Sequence, residues 1–356
     1  MNFRSIQMKK SAVALAAMLV SLTAAAQSSV TVFGVLDAAA RYTKSSGKTL
    51  KSLGSDGLSS SRLGFRGVED LGGGLKAGFW IEAAVATDTG AQGDALRFWN
   101  RRSSVSLMGN FGELRLGRGK TSARLHLDDF DPFGTTGLGD VSRLYNGLGS
   151  NVDTLNRADN QINYVLPGNL GGFYGSIDLA AGEGSNVAAS PSTSTSSGGK
   201  KMQGFRFGFK QGGLNLGLGY DSTTSALQQK FTMTVFGAAY DFGAAKLQLN
   251  LGETKHLDRK QSLTTIGLIV PIGQGQITAG YTDAKANAAA EALAGVGDAK
   301  LFALGYVYNL SKRTAVYTTY SQIENNGKGQ FSVTNSPAVT AGQKSSGFDL
   351  GLRHSF

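Results

Sequence analysis

Three histidines (His126, His256 and His354) and no cysteine are all that this chain offers to nucleophilic or metal chemistry. A hydrolytic site needs serine, histidine and an acid within reach of one another. His126 lies in a long polar stretch, His256 at the end of an alternating segment and His354 near the last residue, and neither G-x-S-x-G nor H-E-x-x-H accompanies them. Catalysis and a structural metal site are therefore not expected. The chemistry that the sequence does carry is that of fixed charge. Asp128, Asp129, Asp131 and Asp140 fall within thirteen positions. Elsewhere charges recur at every second or fourth position. Asp37 and Arg41 alternate with Leu36, Ala38 and Tyr42, and Asp349 and Arg353 alternate with Phe348, Leu350 and Leu352. Lipid and a dry core both reject charges set along one face of a segment. Water inside a wide enclosure accepts them.

Alternation of period 2 is the mark of strands. It predicts sixteen of them, beginning with 29–43, 59–70, 74–88, 97–109, 111–119, 156–166, 172–182 and 201–211. The second eight are 213–222, 229–242, 244–256, 260–272, 275–285, 299–311, 312–325 and 344–356. Tight turns such as Leu71-Gly72-Gly73, Asn110-Phe111-Gly112, Gly212-Gly213 and Gly273-Gln274-Gly275 alternate with long polar connections at 44–58, 89–96, 120–155, 183–200, 223–228, 286–298 and 326–343. Such sorting puts short turns at one end and long loops at the other, as in barrels of the bacterial outer membrane. A soluble sandwich has no reason to sort its loops, and no side-chain repeat marks a solenoid. An even strand number closes the sheet without an edge. Eight strands would fill the interior with side chains, whereas sixteen leave a channel. The expected fold is all-β: a 16-stranded antiparallel transmembrane β-barrel.

Composition fits that reading. Arg4, Lys9 and Lys10 precede the apolar run 11–22 and the small residues Ala24-Ala25-Ala26, which reads as a signal peptide over 1–26 and a barrel domain over 27–356. No later stretch supplies the roughly 20 apolar residues of a membrane helix. Glycine is abundant at 50 residues, proline scarce at 5, and 41% of the chain is hydrophobic. Without the leader's cations, 32 basic residues face 25 acidic ones, a net charge of +7. No basic run with interleaved aromatics points to nucleic acid, so the excess is assigned to a pore. Aromatics near strand ends, among them Phe79-Trp80, Phe98-Trp99, Phe173-Tyr174, Tyr306 and Tyr308, fit interfacial girdles.

Several segments, in order, resemble the Gram-negative general porins, particularly the β-proteobacterial branch. They include Ser29-Val30-Thr31-Val32-Phe33-Gly34-Val35-Leu36-Asp37, Ser61-Arg62-Leu63-Gly64-Phe65-Arg66-Gly67-Val68-Glu69-Asp70-Leu71-Gly72, Gly112-Glu113-Leu114-Arg115-Leu116-Gly117-Arg118 and Asp131-Pro132-Phe133-Gly134. Arg157-Ala158-Asp159-Asn160-Gln161-Ile162-Asn163-Tyr164 and the closing Gly351-Leu352-Arg353-His354-Ser355-Phe356 complete the set. The resemblance implies a homotrimer in the outer membrane, in contact with lipid and lipopolysaccharide, whose long third loop, here 120–155, folds into the pore. It implies a constriction with Arg62, Arg102 and Arg157 on one side and Asp128, Asp129 and Asp131 on the other. Arg41, Arg66, Arg101, Arg115 and Lys120 are their neighbours. It also makes the terminal Phe356 the signal for outer-membrane assembly. Two departures from the enteric pattern, Val35 where lysine is common and Ser104 at an arginine position, shorten the basic ladder. No cofactor is implied. The expected function is passive diffusion of ions and small hydrophilic solutes with weak anion preference. The alternative is a channel tuned to one class of small anionic solute.

Overall fold

The computed structural model describes residues 29–152, 154–182, 201–225 and 228–356. The expected signal peptide at 1–26 and the connection at 183–200 lie outside the described residues. The described chain begins with β1 (Ser29–Ser45), β2 (Lys48–Ser55), β3 (Arg62–Gly72), β4 (Leu75–Ala84), β5 (Arg102–Gly109) and β6 (Gly112–Lys120). After the long loop come β7 (Arg157–Val165), β8 (Phe173–Ala180), β9 (Lys201–Gln211), β10 (Leu214–Thr224), β11 (Lys230–Asp241) and β12 (Lys246–His256). The chain ends with β13 (Arg259–Ile272), β14 (Gly275–Ala286), β15 (Ala299–Asn309), β16 (Thr314–Asn325) and β17 (Ser345–Ser355). All neighbours are antiparallel. The wall closes where β1 meets β17, from Val35 opposite Ser355 to Ser45 opposite Ser345. Phe356 extends the seam by exchanging two backbone hydrogen bonds with Gly34.

Sixteen strands form the barrel wall as the alternation requires, and β2 is an addition. The segment 44–58, expected as a loop, folds back through Ser46-Gly47 so that β2 pairs with Ala38–Ser45 of β1. Only Ser29–Val35 of β1 pairs with β3. At 17 residues β1 exceeds the roughly 9–11 that cross a bilayer, and β2 covers the edge of its projecting half. A second difference lies at 97–101, expected as the start of a strand. There Asn100 Oδ1 accepts from the Ala84 N–H and Arg97 pairs with Asp159, so the ladder begins only at Arg102. One connection at the loop end is a tight turn, at Leu257-Asp258.

The two faces sort as their chemistry demands. Val30 and Leu350 are 65% and 59% exposed on the outer surface, while Asp349 is fully buried inside. Lysine or arginine on the lipid face at mid-bilayer would cost about 2–4 kcal/mol, which fixes the register. Inside, however, polarity is uneven. Met233, Val235, Leu263, Leu301 and Ile323 are inward and buried, contrary to the polar lining that alternation implies. The reason is the segment beginning at 121, whose described residues 121–152 enter the barrel and lay helix α1 (Ser122–Phe130) and a 3-10 turn (Val141–Leu144) against them. Leu127, Leu138, Val141 and Leu144 are fully or almost fully buried in this contact. Inward glycines make room for it: Gly219 lies under His126, Gly237 under Phe130, Gly252 under Tyr145 and Gly267 under Pro132. The N-terminus of α1 is tied to the wall, where Asp178 accepts from the Ser122 N–H and Asp221 from the Ala123 N–H.

Candidate functional site

The loop covers one side of the lumen and leaves the other open. Inward positions of β3 to β7, with Leu125 of the loop, surround a cavity of ≈ 480 Å³. Arg62 and Arg66 come from β3, Trp80 and Glu82 from β4, and Arg102 and Ser104 from β5, each pair an even two or four residues apart as a single strand face requires. Arg115 and Lys120 of β6 also line it, although five residues apart, a spacing that strict alternation sends to opposite faces. The ladder slips between Gly117 and Gly119, and this bulge re-aims the residues that follow. Gly117 holds φ 133°, and a Cβ there would strike the backbone of Ser103. Arg101, Arg118 and Arg157 complete the basic lining.

Pairing decides which of these charges a solute meets. Glu82 sits 2.5 Å from Arg101 and 3.8 Å from Arg62, and its second oxygen accepts from the Trp80 indole N–H at 3.0 Å. Arg115 pairs with Glu113, Arg118 with Asp159 and Lys120 with Asp128. Arg66, Arg102 and Arg157 form no ion pair with a carboxylate among the described residues, although Glu82 lies opposite Arg102 in the ladder. Arg102 donates to Ser104, Arg157 donates to the Arg101 carbonyl, and Arg66 rests on the rings of Phe33 and Trp80.

Arg62, Arg102 and Arg157 are thus brought to one cavity. The aspartates fare differently. Asp128 lies beside it, held by Lys120, Arg124 and the Thr135 hydroxyl. Asp129 pairs with Arg206 of β9 at 2.8 Å, away from the arginine wall. Asp131 is turned into the loop, where it accepts from the N–H groups of Phe133, Thr135 and Val141. It shapes the bend and presents no oxygen to the cavity. Burial raises its carboxyl to about 7, helped by the nearby charge of Asp140, and burial depresses His126 to about 4. Of the neighbouring cations, Arg66, Arg101, Arg115 and Lys120 line the cavity, whereas Arg41 is spent on Asp349 at 2.7 Å. The sequence does not single out Arg118 and Glu82 as site residues, and Trp80, expected in an interfacial girdle, lines the passage instead. The pair Gly117 and Gly119 around Arg118 was the signal for the first; alternation from Trp80 to Glu82 was the signal for the others.

The passage carries no group of three or more histidine, aspartate or glutamate side chains suited to a metal among the described residues. What it can do chemically is present oriented positive charge to water. A model of the Gram-negative porin family matches residues 11–328. An outer membrane porin protein of Delftia acidovorans is 37% identical over 98% of this chain and 100% of its own length. The structure of an anion-selective porin from Comamonas acidovorans shares 34% identity, with TM-score 0.78 over 92% of this chain and 100% of that one. A trimer form of OmpT from Vibrio cholerae, 18% identical with TM-score 0.62 over 92% of this chain and 99% of that one, shares the fold.

Proposed function

We propose, from the premise that this chain belongs to the Gram-negative porin family, that its arginine-lined passage is the selectivity-setting constriction of a weakly anion-preferring channel. The protein is an outer-membrane porin, a water-filled β-barrel for small hydrophilic solutes. The observation that carries the preference is that the guanidinium groups of Arg102 and Arg157 form no ion pair with a described carboxylate. Charges at the narrowest point act within a Debye length, about 10 Å at 0.1 M salt. They therefore outweigh loop charges farther away. Asp128 and Asp129, already paired with Lys120 and Arg206, temper the field from the opposite side. Opposed signs across a wet gap align dipolar solutes and slow apolar ones.

Zero-current potentials across a planar bilayer test this. Chloride should be favoured over potassium by a modest ratio that shrinks in concentrated salt. Replacing Arg62 and Arg157 together by Ser should shift the potential toward cations; an unmoved potential would remove these residues from the constriction.

A homotrimer is the assembly that fits best, supported by the trimeric relative. An unheated sample migrating as one barrel would count against it. Phe356, which continues the β17 seam beside Gly34, is the proposed assembly signal. Its deletion should lower the amount of assembled protein while leaving the conductance of assembled channels unchanged; normal yield would sink that role.

A further inference from the structure

Resting on the anion-preferring reading, we infer that Trp80 is a positioning residue. Its indole holds Arg66 as a second anion station below the constriction. Arg66 lies four residues from Arg62 along β3, roughly 13 Å toward the short-turn end. It is directly opposite Trp80 in the ladder. Its guanidinium has neither an ion pair nor a hydrogen bond among the described residues. What it touches are ring faces, 5.2 Å from the Trp80 centroid and 5.3 Å from that of Phe33.

The same indole carries Arg102 at 4.6 Å. The two charges consequently lie within a Debye length of one another, about 10 Å at 0.1 M salt, and an anion leaving one feels the other. The ring is itself fixed twice, by an edge contact with Phe33 at 5.1 Å and by its N–H on Glu82. That N–H bond also occupies the Glu82 oxygen that Arg101 and Arg62 leave free. Trp80 thus keeps a mobile cation and the wall's carboxylate apart. Without the ring, Arg66 would swing onto the released oxygen of Glu82, and the two charges would cancel inside the passage.

The test compares variants of the full-length channel in bilayers at 0.1 M salt, by the chloride-to-potassium permeability ratio. Arg66→Ser should lower the ratio about twofold, and the loss should shrink at 1 M salt, where the Debye length is about 3 Å. Trp80→Leu should lower it as far, and adding Arg66→Ser to it should change nothing more. Trp80→Phe, which retains a ring face without the N–H, should restore most of the ratio. Arg66→Lys, which keeps the charge but lacks a planar face, should behave like Arg66→Ser, and it carries the test if Trp80→Leu fails to assemble. An unchanged ratio in Arg66→Ser or Trp80→Leu overturns the inference. So does Trp80→Phe behaving like Trp80→Leu, because the N–H alone would then be responsible. If the paired replacement of Arg62 and Arg157 by Ser moves the ratio while the Trp80 and Arg66 variants do not, this inference fails and the constriction stands. If both sets are silent, the anion-preferring reading fails with it.

Discussion

From β3 to β7 the inner face of the barrel is bare and basic, whereas from β10 to β17 it carries buried apolar residues and glycines among polar ones and is covered by the loop. The bare side holds its side chains apart with ion pairs and aromatic platforms, since arginines this close repel one another and must be anchored singly. The covered side is packed like the core of a soluble protein, with Leu127 and Leu144 fully buried against Met233, Leu263 and Ile323. One barrel therefore has two interiors. Desolvation holds the loop in place on one side, and the space it does not fill is the passage.

Two leucines of α1 offer the sharpest way to break this contrast. Leu127 is buried against the wall and Leu125 lines the passage. Leu127→Ala should weaken loop docking by about 2–5 kcal/mol, seen as noisy, unstable conductance with the barrel still closed. Leu125→Ala should be nearly silent in stability and slightly raise conductance. Equal effects would mean that the loop is not held by its buried face.

A smaller effect is expected from filling the space that glycine leaves. Gly237→Val puts a side chain where Phe130 lies, and overpacking of this kind costs about 1–3 kcal/mol. Since the strand stays paired, the loop should yield before the wall does. Accelerated proteolysis within 121–156, with the barrel's heat stability retained, is the expected readout. A lower melting temperature of the whole barrel with an intact loop would assign Gly237 to the wall instead.

The remaining effects are electrostatic and differ in sign. Docked His126 titrates near 4 instead of 6.5, so released loop binds a proton between those values that docked loop refuses. Its contribution to docking is complete above pH 6.5 and lost as pH falls toward 4. Docked Asp131 titrates near 7 instead of 3.8, so its contribution is greatest below pH 3.8 and lost as pH rises toward 7. The two oppose one another between about pH 4 and 6.5. His126→Phe should therefore expose a steady weakening of docking from pH 4 to 7, and Asp131→Asn a strengthening from 4 to 6.5. Channel closure rates against pH measure both; parallel profiles in the two variants would show that neither group titrates with docking.

The sixteen wall strands were legible in the sequence because their faces meet two unlike solvents, and period 2 records that boundary residue by residue. Leu350 and Asp349 are neighbours in the chain and sit on opposite sides of the wall. The sorting of turns and loops was legible for the same local reason, with Gly72, Gly73, Gly212 and Gly273 all at positive φ in their turns. Arg62 and Arg102 could be placed on the inner face from parity alone. Other features depend on partners distant in the chain, and tertiary structure decided them. Arg115 and Lys120 share a cavity because of one bulge. Asp131 has the sequence surroundings of a pore aspartate, yet its backbone partners at 133, 135 and 141 draw it into the loop. Met233 and Leu263 break the polar-in rule because α1 and the segment after it cover them. Alternation states which solvent a face is made for; whether water or another part of the chain occupies the space in front of that face is fixed only when the chain closes on itself.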